Sequence, residues 1–167
     1  MTQLSMPRQL SQLLKNLLER EHRQLLVLPE QESAVRRGGP GSWSPKEELG
    51  HLIDSAINNH ARFVCARIAG AAGESFRGPS YAQNAWVEAH NYQEMPWTDI
   101  VDAWQQHNAL IAVALELIPE SSLETPCFIG AGEPVSLRFL AEDYVVHAQH
   151  HIDHLLFRDP VTPYPQK

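Results

Sequence analysis

Apolar side chains recur at three- and four-residue spacing in four long stretches of this chain, and proline or glycine separates each stretch from the next. That rhythm puts one apolar stripe on each of four α-helices, and such stripes must be buried against one another. The first stretch runs from about Pro7 to Val27, with Leu10, Leu13, Leu14, Leu17, Leu18 and Leu25 in phase. Pro29 and Gly38-Gly39-Pro40-Gly41 end it and form a linker. The second has the sharpest start: Ser44-Pro45-Lys46-Glu47 sets Ser at the N-cap, Pro at the first helical position and Glu at the third, a capping box. Its stripe is Leu49, Leu52, Ile53, Ala56, Phe63 and Val64, closed by Gly70 to Gly73. The third begins near Thr98-Asp99 and carries Ile100, Ala103, Trp104, Leu110, Ile111, Ala114 and Leu115 before Pro119. The fourth starts at Ser136 and ends near Arg158, because Pro160, Pro163 and Pro165 forbid continuation. No stretch has a convincing strand pattern, although turn-rich Glu120 to Pro134 has room for short strands. The expected fold class is therefore all-α, a four-helix bundle in a single domain spanning residues 1–167. A long connection, about Gly73 to Pro96, joins helices two and three, and connections of that length are functional or hold a short helix of their own.

Bulk properties narrow the function classes. At 167 residues the chain can bury a core without staples. A net charge of -7 argues against a nucleic-acid binder, which needs a basic surface, and Arg36-Arg37 reads as a solvated loop. Nothing approaches the run of about 18 apolar residues that a membrane span requires. Cys65 and Cys127 are far apart and lack metal-type spacing, and Met1-Thr-Gln-Leu-Ser lacks a basic, apolar leader. A reducing cytoplasm is the expected compartment.

Four histidines crowd into eight residues of the fourth helix: His147, His150, His151 and His154. Imidazoles four apart on a helix lie one turn above another and can grip one metal ion together. At about 100° per residue, Leu137, Leu140, Tyr144, Ala148, Ile152 and Leu155 define the buried face. His151 falls within that face and His147 on its edge; His154 flanks it and His150 points more nearly to solvent. The inward pair is His147 and His151, with His150 and His154 as a weaker rival pair. The competing reading is a histidine-bearing helix surface plus one satisfied core histidine. Catalytic zinc usually takes three protein ligands, and His51, His60, His90 and His107 compete for the third place. Phase on helix two nominates His60, because His51 lies almost opposite the apolar stripe with Asp54, Ser55, Asn58 and Arg62. A polar face can also line a cavity.

Three stretches resemble the DinB-like superfamily, and within it the YfiT-like metal-dependent hydrolases. Trp43-Ser44-Pro45-Lys46-Glu47-Glu48-Leu49-Gly50-His51-Leu52-Ile53-Asp54-Ser55 is similar to the family's tryptophan, capped helix and His-Leu-x-Asp-Ser signature. Tyr81-Ala82-Gln83-Asn84-Ala85-Trp86 resembles its inter-helix segment, and Tyr144 to His154 its last-helix histidine cluster. The resemblance implies a four-helix bundle holding one divalent ion, zinc or nickel, through His51, His147 and His151. It overrules phase on helix two. It also matches His107 to a histidine found on the third helix of some members, with a pocket-lining or structural role, and it implies a homodimer.

A site of three neutral imidazoles leaves the full dication charge on the metal, which suits either hydrolysis or thiol transfer. Zinc-protease helices place Glu directly after the first His, whereas Ala148 follows His147 here, so peptidase activity is not expected. Asp54, one turn after His51, and Asp143, one turn before His147, are the candidate bases or partners for ligand histidines, or else solvated surface acids. Tyr81, Trp86, Tyr92 and Trp97 either wall a substrate pocket or simply pack. The leading expectation is a hydrolase acting on a small molecule. Thiol-using members of the wider superfamily imply the alternative, S-transfer from a low-molecular-weight thiol such as bacillithiol or mycothiol. A third is a non-catalytic, stress-associated metal-binding module.

Overall fold

The computed structural model describes residues 4–39 and 41–159, so Pro40, Pro160, Pro163 and Pro165 lie outside the described residues, as does the start of the N-terminal segment read above. Among the described residues six α-helices follow in order: α1 Met6–Val27, α2 Glu30–Ser33, α3 Pro45–Ala71, α4 Gln83–His90, α5 Trp97–Glu116 and α6 Leu137–Leu155. The four long ones form the expected bundle. α1 packs on α5 and α6, and α3 packs on the same two, so α1 and α3 lie diagonally across the bundle, as do α5 and α6. Diagonal crossing explains why the connections after α1 and α5 are long: each must travel over an end of the bundle.

The core follows the apolar stripes, with corrections. Leu10, Leu14, Leu17, Leu18 and Leu25 of α1 are buried, but Leu13 is exposed, as are Val64 on α3 and Leu110 on α5. Ala103 is exposed too, while Val101 and Asn108 take up core positions on that helix. Asn108 is held there by Tyr144, whose hydroxyl donates to its Oδ1 at 2.5 Å, while Asn108 Nδ2 donates to the Trp104 carbonyl at 2.8 Å. Both buried amide groups are thereby satisfied.

The connection between α3 and α5 is ordered from end to end. It contains strand β1 (Phe76–Gly78), helix α4 and a 3-10 turn at Tyr92–Glu94. Strands β2 (Pro126–Ile129) and β3 (Val135–Ser136) complete a three-stranded sheet, β1 parallel to β2 and β2 antiparallel to β3. Phe76 pairs with Cys127 and Pro126 with Ser136. β2 falls in the turn-rich Glu120 to Pro134 segment that has room for short strands, whereas β1 lies in the long connection, where no strand is expected; strands of two to four residues are too short to display an alternating pattern. Lys46 pins the connection to the bundle, its buried ammonium donating to the Met95 carbonyl at 2.6 Å and pairing with Glu30 at 2.5 Å.

Candidate metal centre

The capping box holds the start of α3 as its sequence requires. Ser44 Oγ accepts from the Glu47 backbone N–H at 3.3 Å, and the Ser44 N–H donates to Glu47 Oε2 at 2.9 Å. Ser44 Oγ also donates to Gln93 Oε1 at 2.7 Å, joining the cap to the covering connection. From residue 44 to residue 56 every position is buried. Here the helical phase argument fails for a physical reason. α6 meets the polar side at His51, and α4 and Tyr92 pack beside it at Gly50 and Asp54, so this half of the helix has no solvent face. His51 is fully buried, and His60, the choice of periodicity, is half-buried against His107 with ring centroids 5.5 Å apart.

Gly50 makes this covering possible. A Cβ at that position would sit 2.1 Å from Cδ2 of the Tyr92 ring. Seated on Gly50, Tyr92 donates its hydroxyl to Asp54 Oδ1 at 2.7 Å, and His90 Nδ1 lies 2.9 Å from the same oxygen. Burial pushes the Asp54 carboxyl above its ordinary range despite these two partners. Burial and the neighbouring Asp54 likewise push the Tyr92 phenol far up, so it stays a neutral donor.

His51 meets two histidines of α6. Its ring centroid lies 4.8 Å from that of His151 and 5.3 Å from that of His147, and the latter two are 4.5 Å apart. His51 Nε2 and His147 Nε2 are separated by 3.3 Å. Each of the three offers a ring nitrogen within 4.8 Å of the others, an arrangement that can hold a metal ion. Trp43 lies against His51 with centroids 4.9 Å apart and planes tilted by 33°. The rival pair divides differently from the expectation. His154 is the more solvent-exposed, with 67% of its side chain accessible, and His150 is half-buried beside His151.

Glu48 is the residue that sequence reasoning missed. Its buried carboxylate faces His151 Nδ1 at 2.7 Å through Oε1 and His154 Nδ1 at 2.8 Å through Oε2. Burial pushes this carboxyl up, but the hydrogen bonds and charge of the two imidazoles outweigh it and hold it below the usual carboxylate range. The available signal was Glu48's place one turn before His51, though nothing in the sequence shows that α6 arrives there.

The remaining candidates separate by position. Asp54 is engaged with Tyr92 and His90. His107 faces His60, and burial together with that neighbour lowers its basicity. Asp143 lines a cavity of about 150 Å³ that His147 also borders, along with Asn59, Arg62, Tyr81 and Ser55. Tyr81 packs on Trp86, and Trp97 is core, its indole donating to the Leu25 carbonyl at 2.8 Å.

Comparison with known proteins agrees with this architecture. The fold matches YfiT from Bacillus subtilis, described as a probable metal-dependent hydrolase with an unusual four-helix bundle topology. That match has a TM-score of 0.76 and 19% identity, over 93% of this chain and 87% of YfiT. A mycothiol-dependent maleylpyruvate isomerase also matches, with a TM-score of 0.64 and 15% identity over 96% of this chain. This chain spans 65% of the isomerase's length. No curated protein sequence gives a significant match. The DinB superfamily matches residues 6–155, nearly the whole chain, and the protein belongs to that superfamily.

Proposed function

We propose that this chain is a metal-dependent hydrolase of a small molecule, with one divalent ion, zinc or nickel, on His51, His147 and His151. The observation that carries the reading is the 3.3 Å separation of His51 Nε2 and His147 Nε2. It equals the edge, about 3.3 Å, of a tetrahedron whose metal–nitrogen distances are about 2.0–2.1 Å. Glu48 supports the same reading, because a carboxylate on Nδ1 of His151 fixes the ring and leaves Nε2 for the ion. An ion on three neutral imidazoles supplies, when bound, enough charge to bring the pKa of a water near neutrality or to deprotonate a thiol. In this reading Asp143, on the cavity beside His147, receives the proton of the attacking group. Trp43, its ring centroid 4.9 Å from that of His51, packs against the His51 ring and helps keep it in place.

The likeness to a mycothiol-dependent isomerase favours a second reading, transfer from a low-molecular-weight thiol. Metal-loaded protein offered esters, amides and reactive electrophiles, with and without bacillithiol or mycothiol, separates the two. Metal-dependent turnover without thiol is the expected result. Loss of an electrophile only when thiol is present would move the site to the second reading, and no turnover with stoichiometric metal would leave a non-catalytic module. The reading includes a single-domain chain and a reducing cytoplasm, in keeping with free Cys65 and Cys127 and with the lack of any described helix long and apolar enough to cross a membrane. It also includes a homodimer, for which exposed Ile57, Val64, Ile68, Leu110 and Val113 on α3 and α5 supply apolar surface, and no nucleic-acid partner.

A further inference from the structure

Arg62 is a half-buried cation in a protein of net charge -7. It lies on α3 three turns beyond His51, half-buried, at the wall of the cavity that His147 and Asp143 also line. Its two hydrogen bonds go to neutral oxygens, Asn59 Oδ1 at 3.3 Å and the Pro79 carbonyl at 2.9 Å. Among the described residues no carboxylate forms an ion pair with it. Other buried or half-buried charges do have an ionic partner, such as Glu21 with Arg20 and Arg158, Lys46 with Glu30, and Glu47 with Arg36. Removing a charge from water without a counter-ion is unfavourable, and burial indeed works against the Arg62 cation. A guanidinium carries five N–H donors in a fork that fits a carboxylate with two parallel hydrogen bonds. Here most of those donors are not taken up by protein acceptors.

We infer that Arg62 is the anchor for a carboxylate of the substrate, which it holds beside the histidine centre, so that the substrate is a small carboxylic acid or a molecule with a carboxylate at its reacting end. The cavity's volume of about 150 Å³ admits only a small group; drug-sized ligands occupy about 300–1,000 Å³. Asp143 on the same cavity favours a monoanion over a phosphate, because a second negative charge on the ligand would be repelled. The Tyr81 hydroxyl, engaged with Ser55 and Gln83, supplies a neutral polar group on the same wall. Arg62 thus acts as a specificity determinant set apart from the proposed ligands, and the inference rests on the metal reading above only for what the anchored substrate faces.

Binding of butyrate and of its uncharged isostere butyramide, followed by calorimetry and by the Arg62 Nε–H resonance, tests this on the full-length chain supplied with one equivalent of zinc. The wild type is expected to prefer butyrate by at least about tenfold, one charge-assisted pair's worth, with the Nε–H resonance shifting. Arg62→Gln loses the preference, and Arg62→Lys recovers part of it, which separates a charge effect from damage to the fold. His151→Ala is the second control. A preference that survives in Arg62→Gln but disappears in His151→Ala would mean that the carboxylate binds the metal, and would overturn the assignment while leaving the metal reading intact. No zinc in the wild type together with an Arg62-dependent preference would sink the metal reading and leave the anchor. Equal binding of the two probes to wild type would overturn the anchor.

Discussion

His147 and His151 could be read from the sequence because their relation is local: four residues apart on a helix whose apolar face is unambiguous. His51 could not be read that way. Its neighbours in phase are polar, and only resemblance to a family's signature placed it. Glu48's role was not legible beyond its place one turn before His51, since its partner His151 lies 103 residues away and the pairing exists only once α3 and α6 are packed. Two expectations belong at this scale. Glu48→Gln removes the charge that orients His151, so we expect zinc affinity to fall by about 10- to 100-fold, read by competition with a chromogenic chelator, with helical content unchanged. Gly50→Ala drives a methyl group into the Tyr92 ring. We expect a loss of about 1–3 kcal/mol in urea unfolding, the ordinary range for an overpacked site; an unchanged midpoint would show that Tyr92 is free to move aside.

Among the elements, α3 shows most clearly what local sequence can specify. Its capping box was legible to the residue because it depends on four consecutive side chains, and Ser44→Ala should lower stability by about 1–2 kcal/mol. The burial of its polar face was not legible, because the cover comes from distant α6 and from a connection whose course no periodicity describes. The small sheet was legible only as room for short strands in Glu120 to Pro134, because its strands are too brief to show a pattern. The cap also carries a pH dependence. Burial raises the Glu47 carboxyl, but Arg36 and the Ser44 N–H more than compensate, so its folded pKa lies below the ordinary value. The stabilisation is therefore complete above about pH 4.3, the ordinary Glu pKa, and is lost as pH falls through the lower folded value. Urea midpoints across that acid range should fall more steeply for the wild type than for Arg36→Gln. Parallel curves would mean the pair contributes nothing.

For the molecule as a whole, the diagonal placement of α1 and α3, and of α5 and α6, brings the N-terminal turns of α3 against the histidine face of α6. A metal that joins these two helices binds only the folded chain, so by mass action zinc should raise the thermal midpoint in a concentration-dependent way. Because the ligands must be neutral, that rise should disappear as the solution is acidified below the imidazole range, about pH 6.5. The central claim is that the buried His51, and not the in-phase His60, completes the centre with His147 and His151. Metal content by mass spectrometry on purified wild type, His51→Ala and His60→Ala tests it most directly. The account predicts about one equivalent of zinc or nickel in the wild type and in His60→Ala, and none in His51→Ala. Metal retained by His51→Ala but lost from His60→Ala, or no metal in the wild type after incubation with zinc, would contradict it.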